Sequence, residues 1–301
     1  MEHLWIIVAL AAASFQTIRF MLQKRLADTR LSAVGATFAR FAYSAPVIVS
    51  ALALYFVLTA TPVPSLGPRF WAYAASGGAT QIIATICIVK LFQQRNFAVG
   101  IAFMKTEVIL TVLVGLILLG EGVSRAALAA ICLGVVAVLM LSKPPDAQGA
   151  WWRHLTGRAP ALGLTAGLLF AVSSVTYRGA TLELPGLAPA LRAAVTLGCV
   201  ATMQMLAMGI WMALRDRAQL RAVWQARRVA VFVGLAGLAG SLCWFWGFAL
   251  QNAAYVKAVG QIELILSLIA SVLFFHERIR GREGAGIALL MLSILALVLL
   301  L

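Results

Sequence analysis

The chain has 301 residues, of which 62% are hydrophobic and 11% charged, and its formal net charge is +14. Soluble domains carry about 25% charged residues, so a soluble fold is excluded, and no stretch is long and polar enough to make a separate aqueous domain. The positive charge does not mark a nucleic-acid-binding face, because the basic residues fall mostly in every second loop, which is the pattern of membrane topology.

Apolar runs of membrane-spanning length recur along the whole sequence. The first is Leu4–Leu22. Glu2 and His3 precede it and Lys24-Arg25 follow it, so it reads as a retained span with its N-terminus outside rather than as a cleaved signal. Ala33–Leu58 and Trp71–Phe92 come next, separated by Pro62, Pro64 and Pro68. Phe97–Gly120 and Ala126–Leu141 complete a first unit, residues 1–142. A basic linker, 143–159, leads to a second unit, 160–301, with spans Ala161–Ala180, Ala188–Leu214, Val229–Leu250, Tyr255–Phe275 and Gly284–Leu301. Pro185 and Pro189 bracket the turn before the seventh span, and Arg215–Arg228 forms a basic loop after it. About five spans per unit is an odd count, so two related units must insert in opposite directions. The expectation is an all-α membrane protein of about ten transmembrane helices in two inverted five-helix repeats. Loop charge places Lys24, Arg25, Arg95, Lys143 and Arg215–Arg228 on the cytoplasmic side and both termini outside; the opposite loops hold little beyond Arg69, Arg125 and Lys257.

The repeat is visible directly. Sliding Gly78–Leu141 onto Gly234–Leu297 without a gap superposes Cys87 on Cys243, Asn96 on Asn252, Glu107 on Glu263, Ile109-Leu110 on Ile265-Leu266 and Glu121 on Glu277. Internal symmetry of membrane transport folds is usually much weaker at the sequence level. Two carboxylates held at matching mid-helix positions are expensive in hydrocarbon, which points to a site between the units. Glu107 shares its face with Phe103, Met104 and Thr111, and Glu263 with Gly260, Ser267 and Ser271.

Partners for these acids are available in Arg19, Arg40, Lys90, Lys105, Arg178 and Arg192. Arg40 and Arg192 occupy similar places in spans two and seven and could clamp Glu107, Glu263 or a substrate carboxylate through paired bonds. Lys90 and Arg178 lie near helix ends, where they can snorkel to the interface. Lys105 is mid-span, and its mate in the repeat is Gln261, so the units differ there. Trp244 and Trp246 lie deep in span eight on different faces, so at most one of them lines a cavity. Asn96 and Asn252 read as helix caps. Gly163 and Gly167, Gly234, Gly237 and Gly240, and Gly77-Gly78 read as helix-packing positions. Cys87, Cys132, Cys199 and Cys243 sit in apolar helices with no CxxC spacing, and His3, His154 and His276 are far apart, so neither a disulfide framework nor a metal site is expected.

With these residues in view, the chain resembles the EamA-type transporters of the drug/metabolite transporter superfamily. Their repeated block has a mid-helix Glu-Pro and a Leu-Gly-Glu-Arg at the helix end. Here the copies read Glu107-Val108 with Leu119-Gly120-Glu121-Gly122, and Glu263-Leu264 with Phe275-His276-Glu277-Arg278. Arg40, in Ala39-Arg40-Phe41, matches the family's second-span arginine. Val108 and Leu264 stand where the family has proline, which puts a kink at those helices in question. The resemblance implies a basket of spans one to four and six to nine around a central cavity, spans five and ten at the periphery, and export or exchange of small metabolites, often amino acids.

The resulting expectation is a secondary transporter in a bacterial plasma (inner) membrane, moving a small polar or zwitterionic metabolite by alternating access. Glu107 and Glu263 would bind an ammonium group or a coupling proton, with Lys105, Gln261, Arg40, Arg192, Trp244 and Trp246 as further site candidates. An organic-cation or drug transporter is the main alternative; a lipid-linked flippase or a non-transporting membrane partner is the alternative of another class. No nucleophile–base set, phosphate loop or metal cluster appears, so neither an enzyme nor a cofactor is expected. The partners expected are a small-molecule substrate, the bilayer and protons as coupling ion, with the chain a monomer or homodimer.

Overall fold

The computed structural model describes residues 3–27, 31–92, 104–141, 158–266, 269 and 281–300. Asn96, Phe103, Ser267, Ser271, Glu277, His154, His276 and most of the linker lie outside the described residues.

Every regular element among the described residues is helical: α1 (Leu4–Ala27), α2 (Ala33–Thr59), α3 (Pro68–Phe92), α4 (Glu107–Leu119), α5 (Arg125–Leu141), α6 (Arg158–Leu182), α7 (Pro189–Arg215), α8 (Arg217–Gln225), α9 (Arg227–Leu250), α10 (Ala253–Gly260) and α11 (Gly281–Leu299). In hydrocarbon the backbone must satisfy its own hydrogen bonds, and helices do so locally. Six of these helices are long and apolar enough to cross a membrane, and α4, α5 and α11 are apolar but shorter. The starts follow local chemistry. Ser32 caps α2 by accepting from Gly35 N at 3.1 Å. Proline occupies the first position of α3 and of α7, where its missing N–H costs nothing. Asn252 caps α10 by accepting from Ala254 N at 2.8 Å, the role expected from its place in the sequence. The basic stretch expected as a loop after α7 is a short helix instead, α8, opened by Asp216 accepting from Gln219 N.

The two halves pack reciprocally. The principal pairings between them are α3–α6 and α1–α9, α2–α9 and α3–α7, and α4–α6 and α1–α10. Exchanging the halves converts the first member of each couple into the second, while α2–α7, α4–α10 and α5–α11 map onto themselves. This is the contact pattern that a pseudo-two-fold relation between repeats requires. The α5–α11 pair is fastened by Ser293 Oγ donating to Ala130 O at 2.7 Å. The α3–α6 crossing is close because Gly77 has no side chain; a Cβ there would lie 2.6 Å from both Thr176 Oγ1 and Tyr177 Cε1. Tyr177 Oη lies 2.9 Å from Gly77 O and 3.0 Å from Gln81 Oε1, and Gln204 Nε2 donates to Gly78 O and Gln81 Oε1 at 3.0 Å. Outside this core the helices present large apolar side chains to their surroundings, among them Val57, Leu58, Ile117, Ile210, Leu214 and Leu299. That surface suits a bilayer and not water.

The fourth and ninth spans differ from the expected continuous helices. The chain makes a turn at Lys105-Thr106 and helix begins again at Glu107; in the other half it turns at Gln261-Ile262 and helix begins again at Glu263. Gln261 N, Ile262 N and Leu264 N each reach a carbonyl only three residues back, at 3.0–3.2 Å, so the ladder tightens locally. Neither break contains a proline. Each lies against a close inter-helix contact instead: Met104 O packs where a Cβ on Gly167 of α6 would sit, 2.8 Å away, and Gly260 packs under the Trp244 ring of α9.

Candidate functional site

Because both breaks fall immediately before the glutamates, Glu107 stands in the first turn of α4 and Glu263 at the matching restart in the second half. The positive end of a helix lowers the cost of a carboxylate there. Each acid is then met by a lysine from the opposite half. Lys105 Nζ bonds Glu263 Oε2 at 3.0 Å, and Lys257 Nζ bonds Glu107 Oε1 at 3.3 Å. All four side chains are buried. The two ion pairs therefore cross the boundary between the repeats in both directions.

The surroundings of the two pairs are unequal. Glu263 Oε2 also accepts from Gln16 Nε2 of α1 at 2.8 Å. Trp244 Nε1 donates to Gln16 Oε1 at 2.9 Å, and since the indole can only donate, it fixes which end of the amide faces the carboxylate. Lys257 lies over the same indole, 4.4 Å from the ring centroid, where the π face favours a cation.

Two small cavities adjoin these pairs, sharing Gln16, Phe170 and Lys257 in their walls. The larger, about 30 Å³, also touches Arg19, Arg40, Ser173, Ser174, Ser241, Tyr177 and Trp244. The smaller, about 10 Å³, is walled by Lys105, Glu107, Phe20 and Met104. Arg19 and Arg40 are buried. Arg40 Nη2 donates to Ser241 Oγ at 2.9 Å and Arg19 Nη1 to Gln23 Oε1 at 2.6 Å.

Of the residues singled out in the sequence, Glu107, Glu263, Lys105, Arg40 and Trp244 are brought together here. Gln261 is buried in the turn before Glu263 with its Oε1 unpartnered, and it does not line either cavity. Trp246 is on the other side of α9, packed against the apolar core. Arg192 is not equivalent to Arg40. It stands in the first turn of α7, where Nε and Nη2 donate to Leu187 O and Pro185 O at 2.7 Å, and so ties down the preceding loop. Arg178 does not snorkel: its Nε bonds Glu121 Oε2 at 2.6 Å and its Nη1 donates to Phe248 O and Gln251 O at 2.7 Å. Gly120, left-handed at φ 68°, turns the chain out of α4 and delivers Glu121 to this clamp.

Lys257 and Gln16 are site residues that sequence reasoning missed. Lys257 was counted with loop charge, although it lies in α10. Gln16, Arg19 and Gln23 are spaced three and four apart in an apolar helix, a polar stripe that was legible.

Residues 158–299 match the family model described as EamA-like transporter family. The second half of the chain thus carries an EamA-like transporter domain, of the kind found in the drug/metabolite transporter superfamily. Members of this family are transporters, and the match, with the six helices long and apolar enough to cross a membrane, supports a multi-pass membrane transporter. Among the solved structures, 28 chains match it; one, a crystal structure of a protein 15% identical in sequence, superposes with a TM-score of 0.68 over 96% of this chain and 99% of that one, and so shares the fold. No curated protein matches the chain in sequence.

Proposed function

We propose that this EamA-like protein is a secondary transporter that moves a small polar or zwitterionic metabolite, amino acids among the candidates, by alternating access, as an exporter or exchanger. The observation that carries this reading is the pair of buried lysine–glutamate bonds that cross between the halves, Lys105–Glu263 and Lys257–Glu107, beside a small cavity lined by both polar and aromatic side chains. A cavity of about 30 Å³ has room for roughly two waters, less than a metabolite needs. Admitting a metabolite requires the halves to rock apart, and that motion strains the crossing pairs.

Separating a buried ion pair leaves each charge without compensation, at a cost of about 3–5 kcal/mol. A zwitterion can offset this cost, because its ammonium can take the place of a lysine on a glutamate and its carboxylate the place of a glutamate on a lysine. A proton on either glutamate would also release its lysine, which makes Glu107 and Glu263 the proposed coupling positions if transport is proton-linked. The same geometry disfavours the organic-cation reading. The Trp244 face is already covered by Lys257, and the site holds Arg19, Arg40 and Lys105 besides.

The loop charges support a bacterial plasma-membrane setting with the start of α1 and the end of α11 outside. Flux of labelled amino acids into proteoliposomes tests the function. Saturable flux in the wild type that falls at least tenfold in Glu107→Gln and Glu263→Gln is expected; unchanged flux in both variants would remove the carboxylates from the mechanism.

A further inference from the structure

We propose that Arg19 and Arg40 form an anion subsite at the larger cavity, and that the transported molecule presents a carboxylate or phosphate group to it. This deepens the transporter reading and rests on it for its physiological meaning.

The argument begins with charge. The side chains gathered around the two cavities and the crossing pairs include four cations, Arg19, Arg40, Lys105 and Lys257, and two anions, Glu107 and Glu263. Each glutamate is held by a lysine, so the two arginines are the surplus. Both are buried, 3% and 5% exposed. Among the described residues neither forms a salt bridge. Their hydrogen-bonded side-chain partners are neutral, Gln23 Oε1 and Ser241 Oγ. Glu263 is within electrostatic reach of Arg19, but its Oε2 is held by Lys105 and Gln16.

Geometry makes the surplus a site. The two arginines run side by side across Gly237 of α9: a Cβ there would come 3.0 Å from Arg40 Cγ and 3.3 Å from Arg19 Cδ. Two like charges are thus held together in a medium that penalises even one. Arg40 Nη1 is buried and has no hydrogen-bond partner. Both arginines line the cavity. A guanidinium is a planar fork of donors that matches an oxyanion and always carries its charge. The same cavity is also lined by the aromatic rings of Trp244, Phe245 and Phe248, which suit the carbon body of an organic anion. With the lysines already neutralised, an anion at this place brings the cluster toward charge balance, whereas a choline-like cation would add to the excess.

The test uses the full chain, purified in detergent and in proteoliposomes, with succinate, glycerol 3-phosphate, alanine and choline as probes. Saturable elevation of the thermal midpoint by succinate or by glycerol 3-phosphate is expected, and which of the two acts distinguishes carboxylate from phosphate. Arg40→Gln and Arg19→Gln should weaken that binding at least tenfold, with Arg40→Lys intermediate. Ser241→Ala, which only loosens the placement of Arg40, should weaken it two- to fivefold and keeps the test open should an arginine variant not fold. Anion binding without flux of any probe would uphold the subsite and overturn the transporter reading. Alanine or choline flux that neither anion inhibits, with no stabilisation by either, would overturn the subsite and leave the transporter reading standing. Absence of binding and of flux for both anions would likewise overturn the subsite.

Discussion

The two helix breaks share an acid met by a lysine from the opposite half, and differ in what surrounds that pair. At Glu263 the carboxylate has a lysine at 3.0 Å and an amide at 2.8 Å, and the amide is itself held by Trp244. At Glu107 the lysine is at 3.3 Å, and that lysine also rests on an aromatic face. The lysines come from different places in their halves: Lys105 stands in the turn beside its own glutamate, Lys257 well up α10. The acids are therefore the symmetric part of the site, and the cations and amides are the part that makes it asymmetric. An asymmetric molecule can be read only by the second set.

The most damaging change to this arrangement should be Glu263→Gln. It strands Lys105 in the interior and disturbs Gln16, and a loss of about 3–5 kcal/mol is expected, read as thermal unfolding of the purified protein. Glu107→Gln should cost less, about 2 kcal/mol, because Lys257 keeps its contact with the Trp244 ring. Equal losses would mean that the neighbours of Glu263 contribute nothing. The glycines at the two breaks offer a second contrast. Gly167→Ala meets the Met104 carbonyl, which is backbone and cannot swing aside, while Gly260→Ala meets the Trp244 side chain. Both overpack and should cost about 1–3 kcal/mol, with Gly260→Ala reducing flux more than Gly167→Ala at equal stability because it displaces the ring that orients Gln16. Trp244→Phe removes one hydrogen bond, about 1 kcal/mol, and should impair flux through Glu263 while leaving most of the stability. Arg192→Gln is the smallest perturbation. It loosens the loop that leads into α7, and substrate affinity should be unchanged in a flux assay.

The repeat, the helices and the paired acids were legible because they are carried by sequence spacing. A helix of apolar residues has a length, and a duplicated Glu107 and Glu263 have an offset. The breaks were not legible. Lys105-Thr106 and Gln261-Ile262 contain neither proline nor glycine, and nothing local distinguishes them from continuing helix. Their turn geometry accompanies tertiary contacts, the Met104 carbonyl on Gly167 and Gly260 under Trp244, which only the folded chain brings together. Lys257 was lost for a different reason. Charge near a span end is ordinarily topological, and only the opposite half, arriving with Glu107, turns it into an internal partner. Arg192 illustrates the reverse error: its resemblance to Arg40 was a matter of neighbouring letters, while its depth in the helix sends it to loop carbonyls.

The central claim is that the lysines pair across the repeats and not within them. A double-mutant cycle on thermal stability, Lys105→Met with Glu263→Leu against Lys105→Met with Glu107→Leu, measures this directly. A coupling above about 1.5 kcal/mol for the cross-repeat pair, with near-additive behaviour for the pair within one repeat, is the predicted result. Additivity for Lys105 and Glu263, or a stronger coupling of Lys105 to Glu107, would contradict it.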